Sequence, residues 1–171
     1  MRFEETRDAL VAVLKSVDGM GVVFSHLKLV TDLEAFLRMY TVPSPYVPEK
    51  KLPLVAWLTR TSMDERPEFD EAGIPAAAVY ATDTWTITLL HGFYDDDDEE
   101  AASDTHFQRL LDRIADRMRY WTDADVLDLP GGAIHVHPVS VASAGLFSTE
   151  AGGFLCHKAE ILIRFDFQFT S

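Results

Sequence analysis

The chain has 171 residues, 47% hydrophobic and 25% charged, with 15 Lys and Arg against 28 Asp and Glu, so its net charge is −13. This length supports one domain that buries roughly 70% of the surface its unfolded form exposes, with no need for disulfides or a metal staple. The charge argues against a protein that neutralises nucleic-acid phosphates and against docking on an anionic membrane surface.

Residues 2–17 have helical spacing, with Phe3, Leu10, Val13, Leu14 and Val17 on one apolar face, and Asp18-Gly19 stops the helix. The first residues mix charge with apolar side chains and lack the apolar run of a signal peptide. No apolar stretch reaches the ~18 residues of a membrane span. Synthesis in the cytoplasm is the expectation. Residues 21–29 read as a short strand. Thr31 and Glu34 then form a capping box for a second helix that buries Leu33, Phe36, Leu37 and Tyr40. Pro43 and Pro45 end it.

Residues 43–53, with four prolines, read as a loop, and Leu54 to Thr61 as a strand. Residues 62–75 are polar with Pro67, Gly73 and Pro75, and read as a second loop. Ala76 to Tyr94 has the character of a long strand or a bent pair. In its second half Trp85, Ile87 and Leu89 alternate with Thr84, Thr86 and Thr88. Asp95-Asp96-Asp97-Asp98-Glu99-Glu100 follows, and carries nearly half of the net charge. It lacks the alternating ligands and central glycine of a calcium loop, so a solvated, self-repelling loop is expected.

The next helix is the best defined. Ser103 or Asp104 caps it, and Phe107, Leu110, Leu111, Ile114 and Met118 form its apolar stripe. Pro130-Gly131-Gly132 marks a turn. Ile134, Val136, Val139 and Val141 belong to a strand, with Pro138 at a bulge or an edge. Residues 143–153 read as a flexible connection. The final strand places Ala159, Ile161, Ile163, Phe165, Phe167 and Phe169 on one face. The pattern predicts a single α+β domain over 1–171. Its sheet is mixed and mostly antiparallel, of four to five strands, with two or three helices packed on one face.

Catalytic motifs are absent. There is no GxSxG, GxGxxG, HExxH, CxxC or phosphate loop. The lone cysteine, Cys156, reads as a small half-buried apolar residue. Trp57, Trp85 and Trp121 read as core or interface anchors. His135 and His137 lie two apart on strand-like sequence, so they point the same way, and His157 could approach from a neighbouring strand. Solvent-facing histidines are the simpler reading, and no metal or cofactor is assigned. His26, His91 and His106 have no partner visible in the sequence.

The order of elements carries a resemblance. The strand Trp85–Tyr94 runs into a polar loop and then into the helix Phe107–Met118. Two terminal strands follow, ending in Ala159-Glu-Ile-Leu-Ile-Arg-Phe-Asp-Phe167. This resembles the tail-terminator and tail-completion proteins of long-tailed bacteriophages and their prophage relatives, over residues 1–40 and 76–169. The resemblance implies a non-enzymatic structural subunit with no catalytic residues. It implies assembly with copies of itself as a ring, often of six, that meets tail-tube and head-connector proteins. It also implies residence in the bacterial cytoplasm and then in the virion tail. The alternative is a small metal- or ligand-binding domain, or an enzyme, using His135, His137 and His157. An acidic mimic of DNA ranks third, because the acids cluster and are not spaced along a face.

Overall fold

The computed structural model describes residues 2–28, 33–44, 49, 51–69, 73, 75–94, 102–119, 133–136, 140–149 and 154–170. These form three helices, α1 (Arg2–Lys15), α2 (Leu33–Tyr40) and α3 (Ser103–Arg119). The strands are β1 (Val22–Phe24), β2 (Thr41–Pro43), β3 (Lys51–Phe69), β4 (Pro75–Gly92), β5 (Ala133–Val136), β6 (Ser140–Thr149) and β7 (Phe154–Thr170). The fold is α+β. The sheet runs β1-β3-β4-β7-β5, with β2 also on β3 and β6 also on β7. Among the described residues, β1 with β3 is the one parallel pair.

Seven strands stand where four to five are expected, and each difference has a local cause. The proline-rich segment 43–53 has strand at both ends: Thr41 pairs with Pro53 and Pro43 with Lys51 in an antiparallel ladder. Both prolines sit on β2 or at the start of β3, where a missing N–H is tolerated. The expected loop at 62–75 is mostly strand, because β3 continues to Phe69 and β4 begins at Pro75. Residues 61–66 are exposed on both faces of the strand, so no hydrophobic alternation marks them. The expected connection at 143–153 is largely β6, paired with β7 from Ser140–Leu162 to Thr149–Phe154. The short strand at 21–29 contracts to Val22–Phe24. Thr31, Trp121, Pro138 and Val139 lie outside the described residues, as does the acidic run 95–100.

Side chains of β3, β4 and β7 alternate between two apolar layers. One face carries Leu54, Ala56, Leu58, Trp85, Ile87, Leu89, Ile161, Ile163, Phe165 and Phe167, all buried. Leu10, Val13 and Leu14 of α1 and Phe107, Leu110, Ile114 and Met118 of α3 pack on it. The other face carries Val55, Leu90 and Cys156, and these meet Tyr40 and Phe36 of α2. Two helices therefore share one face, as expected, and the third, α2, covers the opposite one. The reason lies in β3, where Val55 and Trp57 are apolar between Leu54, Ala56 and Leu58, so both faces of this strand need covering.

α1 ends at Lys15, and the turn that follows it reaches Gly19, which adopts a φ of 80° that glycine accepts without strain. At its other end Phe3 is 42% exposed yet stacks on Trp85, with ring centroids 5.3 Å apart. Arg60 of β3 lies over the Phe3 ring and pairs at 2.6 Å with Asp83, which is fully buried. Among the described residues, no helix is long and apolar enough to cross a membrane.

Candidate functional site

The register decides what happens to the candidate histidines. His135 of β5 stands opposite Asp166 of β7. His157 of β7 stands opposite His91 of β4 on one side and Leu146 of β6 on the other. Asp166 and His157 are nine positions apart on one strand, about 30 Å at the rise of a β-strand. The fold therefore does not bring His135 and His157 together, and His137 lies outside the described residues. Cys156 is buried on the face opposite His157. Burial raises its thiol to about 11, against a smaller opposing pull from Lys158. It is a packed side chain with negligible thiolate at neutral pH.

What the fold does bring together is His91, His106 and His157, where the end of β4, the start of α3 and the start of β7 converge. His91 and His157 continue the core-facing alternation of their strands, and both are buried, with ring centroids 6.1 Å apart. Phe107 of α3 stacks on His157 at 5.0 Å and meets His91 edge-on at 6.2 Å. Ser103, the first residue of α3, is fully buried and ties the helix to the strand. Its hydroxyl donates to the Tyr94 carbonyl at 2.6 Å and accepts the Tyr94 N–H at 3.0 Å. The Ser103 backbone N–H reaches the same carbonyl at 3.3 Å. The hydroxyl proton is thereby committed, so its remaining lone pair accepts Nε2–H of His157 at 3.0 Å. The phenol of Tyr94 hydrogen-bonds Nδ1 of His106. His91 donates Nδ1–H to the Gly92 carbonyl at 2.8 Å.

Burial dominates the electrostatics of the cluster. It pushes His91 down to about 4, helped by His157 and His106 and opposed by the Gly92 bond. It also lowers His106, with Arg109 and Arg113 adding to the effect. It lowers His157, while Asp104 works in the opposite direction. All three imidazoles are neutral at pH 7 on this account.

Ser103, His157 and Asp104 have the composition of a hydrolytic triad, with Asp104 Oδ1 3.9 Å from His157 Nδ1. The geometry runs against that use. The serine gives its proton to a carbonyl and not to the imidazole, and a fully buried oxygen cannot reach a substrate. Among the described residues, no group of three or more His, Cys, Asp or Glu side chains is placed to hold a metal ion.

A second feature lies at the far end of the sheet, on the face opposite α1 and α3. A cavity of about 470 Å³ is lined by Asp64 and Arg66 of β3, Tyr80 and Thr82 of β4, and Arg164 and Asp166 of β7. Thr82 donates to Asp166 at 2.8 Å. Two guanidinium groups and two carboxylates balance there, so the cavity favours no ion of one sign.

No family model matches this chain. No curated protein matches it either. A functional reading therefore rests on the fold, its edges and the chemistry just described.

The sequence carried a signal for part of the cluster. His91 extends the series Trp85, Ile87, Leu89, and His157 precedes the series Ala159, Ile161, Ile163, so period 2 puts both on the buried face. Their meeting depends on β4 pairing with β7, which a sequence of elements alone does not specify.

Proposed function

We propose that the chain is a structural assembly subunit of a phage or prophage tail, forming a ring with copies of itself at the end of the tail tube. The observation that carries this reading is the state of the sheet's edges. Among the described residues, β3 beyond Trp57 pairs with β4 alone, and β6 pairs with β7 alone. The open part of β3 is about 40 Å long at 3.4 Å per residue, and it presents exposed Met63 and Phe69. Long open edges invite a further strand unless they are guarded.

The two edges are guarded differently. Open β3 carries Arg60, Asp64, Glu65, Arg66 and Pro67. The ten residues of β6 include no charge and no proline. Because β6 carries no charge, β3 set against β6 places no like charges opposite each other. Strand direction alternates along β3, β4, β7 and β6, so β3 of a second copy beside β6 continues an antiparallel sheet. A head-to-tail contact of this kind is the sort that closes into rings. Tail-tube and head-connector proteins are the further partners that the resemblance implies.

Electron microscopy of the purified full-length chain tests the reading. Annular particles with a central hole are expected. Fields of single small particles at every concentration would overturn it.

A further inference from the structure

We propose that the histidine cluster is an acid-sensitive latch: protonation of His91 and His157 releases the first turn of α3 from the ends of β4 and β7. The latch is the set of bonds through Ser103. This one hydroxyl joins the Tyr94 backbone to His157, and the helix begins on it. The Tyr94–His106 bond, the Phe93–His157 ring contact and the packing of Phe107 against both imidazoles also hold this corner.

A proton on either ring strains this arrangement. The two buried rings lie 6.1 Å apart with an aromatic ring against both, so two charges there would repel at short range. The N-terminus of α3 carries the positive end of its helix dipole, which also disfavours a cation beside Ser103. The groups facing the cluster come from each packed element. β4 and the turn after it contribute His91 and Tyr94, and β7 contributes His157. α3 contributes Asp104, His106, Arg109 and Arg113, while β3 presents uncharged Leu54 opposite His91. Asp104 is the one described carboxylate that would welcome the charge on His157. It is 69% exposed and 3.9 Å away, so solvent screens it. Arg109 and Arg113 act in the opposite sense on His106.

The size of the effect follows from linkage. His91 titrates at about 4 when packed, against 6.5 when free. At pH 5 this one residue multiplies the opening equilibrium about 30-fold relative to pH 7.5, and His157 adds to it.

Hydrogen exchange of the full-length chain, corrected for the intrinsic pH dependence of exchange, tests the latch. Amides of residues 102–107 are compared with those of Trp85–Leu89 and Ala159–Ile163 as an internal reference. The expected result is a rise of at least about 30-fold in opening of the first segment from pH 7.5 to pH 5, with the reference strands still protected. Exchange unchanged with pH, or rising equally in the reference strands, would overturn the proposal. The variant His91→Leu with His157→Gln keeps a neutral N–H donor for Ser103 and should lose the pH response. A response as large as the parent's would also overturn it. Should that variant fail to fold, the imidazole ring protons of the parent chain decide. Those of His91 and His157 must titrate together with the loss of Ser103 amide protection, and separate midpoints contradict the latch.

Discussion

At Gly21 an added Cβ would lie 2.0 Å from the Leu54 carbonyl oxygen and 2.7 Å from Leu54 Cγ. The first contact is with backbone inside the β1–β3 ladder, which cannot move aside without breaking pairs such as Val22–Val55. Gly21→Ala is expected to destabilise the fold by about 2–3 kcal/mol, read as a lower melting temperature at unchanged secondary structure. His91 sets a different residue-scale expectation. Its packed form titrates at about 4, below the ordinary 6.5 of the unfolded chain. Between those values the unfolded state binds a proton that the folded state refuses. Stability is therefore fully present above pH 6.5 and falls as the pH drops towards 4, by about 3 kcal/mol in total. Denaturant unfolding at pH 7, 6, 5 and 4.5 measures this slope, and His91→Leu should flatten it. A parent protein whose stability is level across that range contradicts the burial assigned to His91.

Among the elements, α3 and the core-facing halves of β4 and β7 were the most legible. Phe107, Leu110, Leu111, Ile114 and Met118 lie on one helical stripe, and all five are buried against Trp85, Ile87, Leu89, Ile161 and Ile163. Ile163→Asp would place a carboxylate between Trp85 and α3, where Arg60, the cation beside Trp85 on that face, is already paired with buried Asp83. Loss of soluble folded protein is expected, because an unpaired buried charge costs several kcal/mol. Soluble, folded Ile163→Asp protein with an unchanged melting temperature would refute the assignment of faces. Less legible was the second half of β3, whose side chains meet solvent on both sides. Ser62-Met-Asp-Glu-Arg66 is strand by virtue of pairing with β4, as in Asp64–Thr82 and Arg66–Tyr80, and not by virtue of its own alternation. β6, rich in Ser, Ala and Gly, is likewise held by β7. The histidine cluster was half legible. Alternation placed His91 and His157 inward, but their contact with Ser103 needed the β4–β7 pairing and the return of the chain into α3.

At the scale of the whole molecule, a net charge of −13 sets copies of this chain against one another. Six of those charges stand in Asp95–Glu100, next to α3 in sequence and contributing no apolar side chain. Replacing the six with Ser and Gly is expected to leave the thermal unfolding of the fold unchanged and to strengthen self-association at low salt, since repulsion between copies falls. Unfolding on replacement would show that the run is part of the packed structure. The central claim is that this fold is an assembly subunit whose open edges are covered by neighbours. The measurement that tests it most directly is the mass of the purified full-length chain by sedimentation velocity across concentration and salt. The account predicts one dominant species at a fixed multiple of 19.2 kDa larger than a dimer, favoured as salt rises. A single species of 19.2 kDa at every concentration and salt would contradict it.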